Sequence, residues 1–331
     1  MTCATTTSPA RRRHLATLAL LSCGLLLGGA AAQAQDRGPL KMIVPFGAGT
    51  TTDTVGRVVA EALGKNLQQP VIVDNRAGAG GSTGSDMVAK SAPDGRTLVM
   101  GTVGTHAINA SLFAKLPYDP LRDFAPVAFI GYTPTLLVVA ADSPIKSLKD
   151  LALAAHRPEG VTFASAGNGT SGHLAGELLA QRLGGKMIHV PYKEGSVALT
   201  GVMAAQVDFM FYHPAAVMPQ VKSGKLRALG ASSAVRSAAA SDVPTLMEQG
   251  VADFDLVAWF MLYAPAATPP ATLAKLRDAS ATALAQADVT TRLRDQGIES
   301  RAMRAEEMQP FNKVEIAKWA ELVKRSGARV D

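Results

Sequence analysis

Three turns rich in glycine, serine and threonine hold most of the groups in this chain that could do chemistry. They are Gly47–Asp53 (GAGTTTD), Gly78–Gly84 (GAGGSTG) and Gly167–Gly172 (GNGTSG). Each leads into a helical pattern. A helix N-terminus carries about half a positive charge and several unpaired N–H groups, and glycine lets a ligand come close to that backbone. Serine and threonine add hydroxyl donors without fixed charge. A single such turn reads equally well as a tight helix start. Three at comparable places point to one shared cleft that takes an anion without an obligatory lysine or arginine.

The third turn also fits the dinucleotide pattern G-x-G-x-x-G. It follows a strand and opens a helix, and Glu194 stands about twenty residues further on. This supports the alternative reading, a nucleotide-dependent oxidoreductase using residues 167–172. The motif lies in the second half of the chain, however, and an export signal would remove the protein from cytoplasmic NAD. None of the turns carries the lysine of a phosphate-binding loop, and no G-x-S-x-G elbow occurs. The histidines after the leader show no metal-binding spacing. No catalytic set can be assembled, so neither turnover, metal nor cofactor is expected. His173, at a helix start beside the third turn, and His213, just after a strand, are candidates to face the cleft. Asp53 and Glu177 begin helices, where acids favour the dipole without chemistry.

The elements around these turns alternate. Leu40–Pro45, Val71–Val73 and Leu98–Gly101 read as strands, with helices after residues 53 and 84, giving βαβαβ. The pattern restarts after residue 137. Strands are expected at 136–139, 161–165, 186–191, 207–211, 226–231 and 257–263, with helices starting at Ser147, following Gly172 with Leu174, Leu178, Leu179 and Leu183 on one face until Gly184-Gly185 stops it, and lying around 198–205. Two amphipathic helices close the chain, at about 271–297 and 305–326. The expected division is one lobe at 36–137 plus 257–331 and a second at 138–256.

The chain has 331 residues, 47% hydrophobic and 18% charged, which excludes a disordered or fibrous protein. Aromatic residues make up 5%, too few for single-strand nucleic-acid stacking platforms. The net charge of +6 includes Arg11–Arg13, in a stretch with no acid before Asp36, so nucleic acid is not an expected partner. Those arginines, the apolar run Leu15–Leu27 and Ala32-Gln33-Ala34 form the three parts of an export signal over residues 1–34. Arg12-Arg13 loosely fits a twin-arginine leader, and Leu20–Cys23 a lipoprotein box with Leu21 out of place. Both cysteines, Cys3 and Cys23, lie in that segment, so the mature chain has no thiol chemistry.

In order along the chain stand VPFGAGTTTDTVGR (44–57), VIVDNRAGAGGSTGSDMVAKSAPDGRTL (71–98) and DFAPVAFIGYTPTLLVVAADSPIKSLKDL (123–151). FASAGNGTSGHLAGELL (163–179), HVPYKEG (189–195), GKLRALGASS (224–233), DVPTLMEQGV (242–251) and WFMLYAPAATP (259–269) follow. With these the chain resembles the substrate-binding proteins of tripartite tricarboxylate transporters, the Bug or TctC family. The resemblance implies an α/β fold of the type II periplasmic binding-protein class: two α/β lobes joined by a two-segment hinge, with the ligand cleft between them. It implies a monomeric periplasmic receptor for a small carboxylate, with integral membrane transporter subunits as partners.

On this reading the ligand carboxylate meets Phe46, Gly47, Thr51, Thr52, Asp53, Gly80, Gly81, Ser82 and Thr83, together with Thr102 and His106. The second lobe closes with Ser165, Asn168, Gly169, Thr170 and His173, together with Tyr192, Glu194, Tyr212 and His213. Three positions depart from the family's usual pattern. Thr50-Thr51 follows Gly49 where a Gly-Gly pair is usual, Glu194 stands in a Tyr-Lys-Gly-Gly motif, and Tyr212-His213 replaces Asp-Asn. The added negative charge and flat polar-edged surface admit an aromatic as well as an aliphatic carboxylate.

Overall fold

The computed structural model describes residues 1–2 and 38–330, so the export-signal reading lies outside the described residues. From Leu40 the chain builds two five-stranded sheets within one compact unit. The first has the order β2-β1-β3-β10-β4, from Leu40–Val44 (β1), Val71–Asn75 (β2), Thr97–Thr102 (β3), Phe124–Pro134 (β4) and Val257–Pro265 (β10). The second has the order β7-β6-β8-β5-β9, from Leu136–Ala140 (β5), Val161–Ser165 (β6), Met187–Pro191 (β7), Phe209–Tyr212 (β8) and Leu226–Ala231 (β9). In each, four strands share one direction and one runs against them: β10 between β3 and β4, and β5 between β8 and β9. Strands buried on both faces, such as LLVVA in β5, are apolar throughout because helices cover both sides.

The chain passes between the sheets twice, at Thr135 and between Ser232 and Leu256, and one side chain joins the two passages. Ser232 Oγ accepts from Thr135 N at 2.9 Å and donates to the Leu256 carbonyl. Thr135 and Ser232 are both buried, so these polar groups satisfy one another out of contact with water.

Hydroxyl caps start the helices that matter here. Thr50, Ser147 and Thr170 each accept an N–H of the first turn, for Thr51–Leu67, Leu148–Ala155 and Ser171–Leu183. The C-terminal helix Ala305–Ser326 lies against the helical segment 104–112, β4 and the helix Ser171–Leu183. It is anchored by Glu315, whose Oε2 accepts the indole N–H of both Trp259 (2.8 Å) and Trp319 (3.0 Å).

The structure corrects the element reading in places. The helix expected at 271–297 is two, Pro270–Leu284 and Ala287–Asp295, because Gln286 turns extended and starts the second. β4, the longest strand at 11 residues, is additional. It carries Pro126 and Gly131, which argue against a central strand, and it is tolerated as an edge strand whose pairing with β10 shifts register twice. The helical segment 104–112 and the helix Pro214–Lys222 are also additional. Among the described residues no helix is long and apolar enough to cross a membrane.

Candidate functional site

All three glycine turns, with residues from both sheets, line one cavity of about 700 Å³. From the first sheet's side it is lined by Phe46, Gly47, Thr51, Thr52, Gly80, Gly81 and Thr102. From the second it is lined by Asn168, Thr170, Tyr192, Glu194, Tyr212 and His213. Four helices present N-termini around it: those beginning at Thr51, Ser82, Ser171 and Gly195.

The first turn is held rigidly. Thr50 Oγ1 donates to the Gly47 carbonyl at 2.8 Å. The next hydroxyl, Thr51 Oγ1, is buried with no partner. Asp53 does not line the cavity. Its carboxylate accepts from Gly49 N (2.9 Å), Arg57 Nε (3.0 Å) and Asn75 Nδ2 (2.9 Å). Burial pushes its pKa up, but the bond to Arg57, the Gly49 N–H and Asn75 outweigh that and hold it below the usual carboxylate value. Asn75 also donates to the Phe46 carbonyl at 3.0 Å, so Asp53 shapes the turn from behind.

In the second turn Ala79, Gly80 and Gly81 follow one another at positive φ, +45°, +60° and +87°, exposing successive backbone groups to the cavity. Ser82 and Thr83 lie off the wall. Ser82 is buried and accepts from Asn109 Nδ2 at 3.2 Å, while Thr83 is exposed. His106 lies in the core, stacked on Tyr263 with ring centroids 4.0 Å apart and Nδ1 2.8 Å from Thr105 Oγ1. Burial lowers its pKa to about 3.

The third turn lines the cavity and also meets the first lobe's loops. A Cβ at Gly80 would overlap the Asn168 carbonyl, and one at Gly104 would stand 2.8 Å from the Gly169 carbonyl. A Cβ at Gly169 (φ +78°) would overlap Asn109 Oδ1. Gly169 therefore serves contact between lobes, which corrects the expectation that it admits the ligand. The last glycine of the pattern, Gly172, lets its helix approach β8, since a Cβ there would overlap the Phe211 carbonyl. Gly169 and Gly172 are thus taken up by lobe contact and helix packing, while Gly167 lies on the cavity wall.

Ser165 and His173 stand behind this turn. Ser165 Oγ donates to the Gly167 carbonyl (3.0 Å) and lies 2.7 Å from His189 Nε2. Gly169 N donates to His173 Nδ1 at 3.2 Å. His173, Glu177 and His189 bring possible ligand atoms within 4.8 Å of one another. The two imidazoles stack at 4.0 Å with 23° between planes, so their in-plane lone pairs do not converge on one ion. The cluster reads as a prop beneath the turn.

The cavity's aromatic side is polar-edged. His213 has Nε2 3.2 Å from Ser171 Oγ, while its Nδ1 is buried without a partner. Burial lowers its pKa to about 4, so the ring is neutral near pH 7. Burial, with the Glu194 charge, raises Tyr212 to about 12 and keeps its hydroxyl protonated. Sequence reasoning did not single out the wall residues Phe113, Phe260 and Val330. Phe260 lies in a strand the sequence did show. Phe113 and Val330 pair across more than 200 residues, which local pattern cannot reveal.

The chain matches the tripartite tricarboxylate transporter family receptor (TctC) over residues 55–328. A solved structure of the periplasmic binding protein BugD is 31% identical, with a TM-score of 0.82 over 88% of this chain and 98% of that one. R. palustris Rpa4515 with adipate is 32% identical, with a TM-score of 0.84 and the same shares. MatC (Rpa3494) from Rhodopseudomonas palustris with bound malate is 34% identical, with a TM-score of 0.81 over 86% of this chain and 98% of that one. The two sheets, the paired crossings and this coverage place the chain in the two-lobed binding-protein fold, and it belongs to the tripartite tricarboxylate transporter receptor family.

Proposed function

We propose that this protein is a periplasmic, monomeric receptor that captures a small aliphatic or aromatic carboxylate in the cavity and delivers it to integral membrane transporter subunits. The observation that carries this reading is the convergence of helix N-termini from both sheets on one cavity, with Thr51 Oγ1 and His213 Nδ1 buried and unpartnered there. A carboxylate supplies acceptors to the Thr51 hydroxyl and to the N–H groups of these helix ends. The proposed lobes divide at the two crossings, Thr135 and the passage between Ser232 and Leu256, two residues before the expected boundary at 137, because Leu136 and Leu137 belong to β5 of the second sheet. The family is one of receptors, and the proposed role includes no turnover and no nucleic acid. Neighbouring proteins that hold adipate and malate support the ligand class. The rings of Phe46, Tyr192 and Tyr212 on the wall extend it to aromatic acids.

The test is a thermal-shift series with malate, adipate and benzoate, with NADH as a control. A ligand at a hundred times its Kd adds about 2.7 kcal/mol of stability. At least one carboxylate should raise the melting temperature and be recovered unchanged. A shift with NADH alone would replace this reading with the nucleotide one.

Thr51→Val separates ligand binding from stability. An unsatisfied buried hydroxyl costs about 1–3 kcal/mol, and valine removes it at nearly constant shape. The ligand-free variant should melt no lower than the unmodified protein, while its affinity for the bound carboxylate falls about tenfold, or about 1.4 kcal/mol. Calorimetric melting and titration check both signs. Unchanged affinity would remove Thr51 from the site.

A further inference from the structure

The cavity contains one charge that a simple anion site does not need. Glu194 is the only acid among its lining residues and Lys193 the only cation. Lys193 is exposed, Glu194 is half-buried, and among the described residues the Glu194 carboxylate has no hydrogen bond or ion pair. Its position is specific. Glu194 comes from the second lobe, yet a Cβ at Gly47 would overlap both of its carboxylate oxygens. It therefore touches the first lobe's turn, beside the N-terminus of the helix Thr51–Leu67.

A plain dicarboxylate held by these turns would bring a second negative charge beside Glu194, where protein walls limit screening by water. Donors remain available in the same cavity. Thr51 Oγ1 is buried and unpartnered, and the Tyr212 hydroxyl stands where a Cβ at Gly195 would be. The cavity thus offers donors and one unpaired acceptor. A molecule that satisfies both carries a carboxylate at one point and a cationic nitrogen at another. The Phe46 ring, which also lines the cavity, presents a π face to such a cation.

We propose that Glu194 makes this site select carboxylates that also bear a protonated amine, the ammonium pairing with Glu194 while the carboxylate takes the N-terminal turns. The inference rests on the carboxylate-receptor reading above and names the ligand class within it. Glu194 is then the specificity determinant, and its charge is the property that matters.

Two pairs of probes with matched skeletons test it by calorimetric titration: aspartate against malate, and 2-aminoadipate against adipate. In the unmodified protein the amino member of at least one pair should bind about tenfold or more tightly than its partner. In Glu194→Gln, which keeps shape and removes charge, that ratio should fall to within about twofold. It should do so partly because the plain diacid binds better, a gain that a merely structural role would not give. If malate and adipate bind as tightly as their amino partners to the unmodified protein, or if the ratio survives in Glu194→Gln, the Glu194 proposal fails and the receptor reading stands. If none of the four binds, the Glu194 proposal fails, and the receptor reading is decided by the thermal-shift series above.

Discussion

Gly169→Val is expected to lower affinity for the bound carboxylate by about a hundredfold or more, equivalent to about 2.8 kcal/mol. Two effects combine. Gly169 has a φ of +78°, where a residue with a Cβ is strained by roughly 1–2 kcal/mol. The added Cβ would also overlap Asn109 Oδ1 and stand 3.1 Å from Leu112 Cδ2, both on the opposite side of the cleft. Asn109 has little room to retreat, because its Nδ2 donates to the Gly80 carbonyl (3.1 Å) and to Ser82 Oγ (3.2 Å). The lobes would then have to stand apart, and the ligand would lose contacts from one side.

Gly104→Ala approaches the same seam from the other face without a positive φ. Its Cβ would stand 2.8 Å from the Gly169 carbonyl, and the expected loss is about tenfold. Titration with malate or adipate gives the affinities, and solution scattering at saturating ligand gives the separation of the lobes. Unchanged affinity and unchanged dimensions in Gly169→Val would remove the seam from the binding mechanism.

The seam also shows where sequence reading stops. The glycine turns, their strands and their helices were legible because composition and period are local. Thr50 and Thr170 cap as their positions suggest, and the turns at 47, 80 and 167 all reach one cavity. What each residue faces is not local. Asp53 and His173 directly follow the cavity-lining residues Thr52 and Gly172, and nothing in GTTTD or GTSGH separates wall from support. Gly169 and Asn168 alternate between lobe contact and cavity wall within two residues. β4 was hidden because Pro126 and Gly131 argue against a strand, and only its edge position and shifted pairing with β10 permit it. Glu194 was visible as a departure from a family motif, but its contact with Gly47 joins residues 147 positions apart in sequence.

Acid should destabilise the protein well above the range where carboxylates titrate, and His106 should account for much of the effect. Its ring is fully buried, stacked on Tyr263 and edge-on to Phe124, with Nε2 unpartnered. Burial lowers its pKa to about 3, against 6.5 for an unperturbed histidine. Above pH 6.5 the ring is neutral in both folded and unfolded chains, so it contributes no pH dependence. Below 6.5 the unfolded chain takes up a proton that the folded core excludes, and stability falls by about 1.4 kcal/mol per pH unit until the folded pKa is reached. Between pH 7 and pH 5 this amounts to about 2 kcal/mol for His106 alone. His189 and His213, lowered to about 3 and about 4, act with the same sign. Asp53 and Glu61 are depressed carboxylates whose contribution is lost only below their ordinary range, so the window from pH 7 to pH 5 isolates the histidines. The measurement is unfolding free energy from urea titrations at pH 7 and pH 5, for the unmodified protein and for His106→Phe. Phenylalanine keeps a ring against Tyr263 and cannot titrate, so the difference between the two pH values should shrink by about 2 kcal/mol even if overall stability shifts. An undiminished difference would mean that His106 is protonated in the folded state. It would then have to reach water or an anion, and its place would be in the site instead of the core.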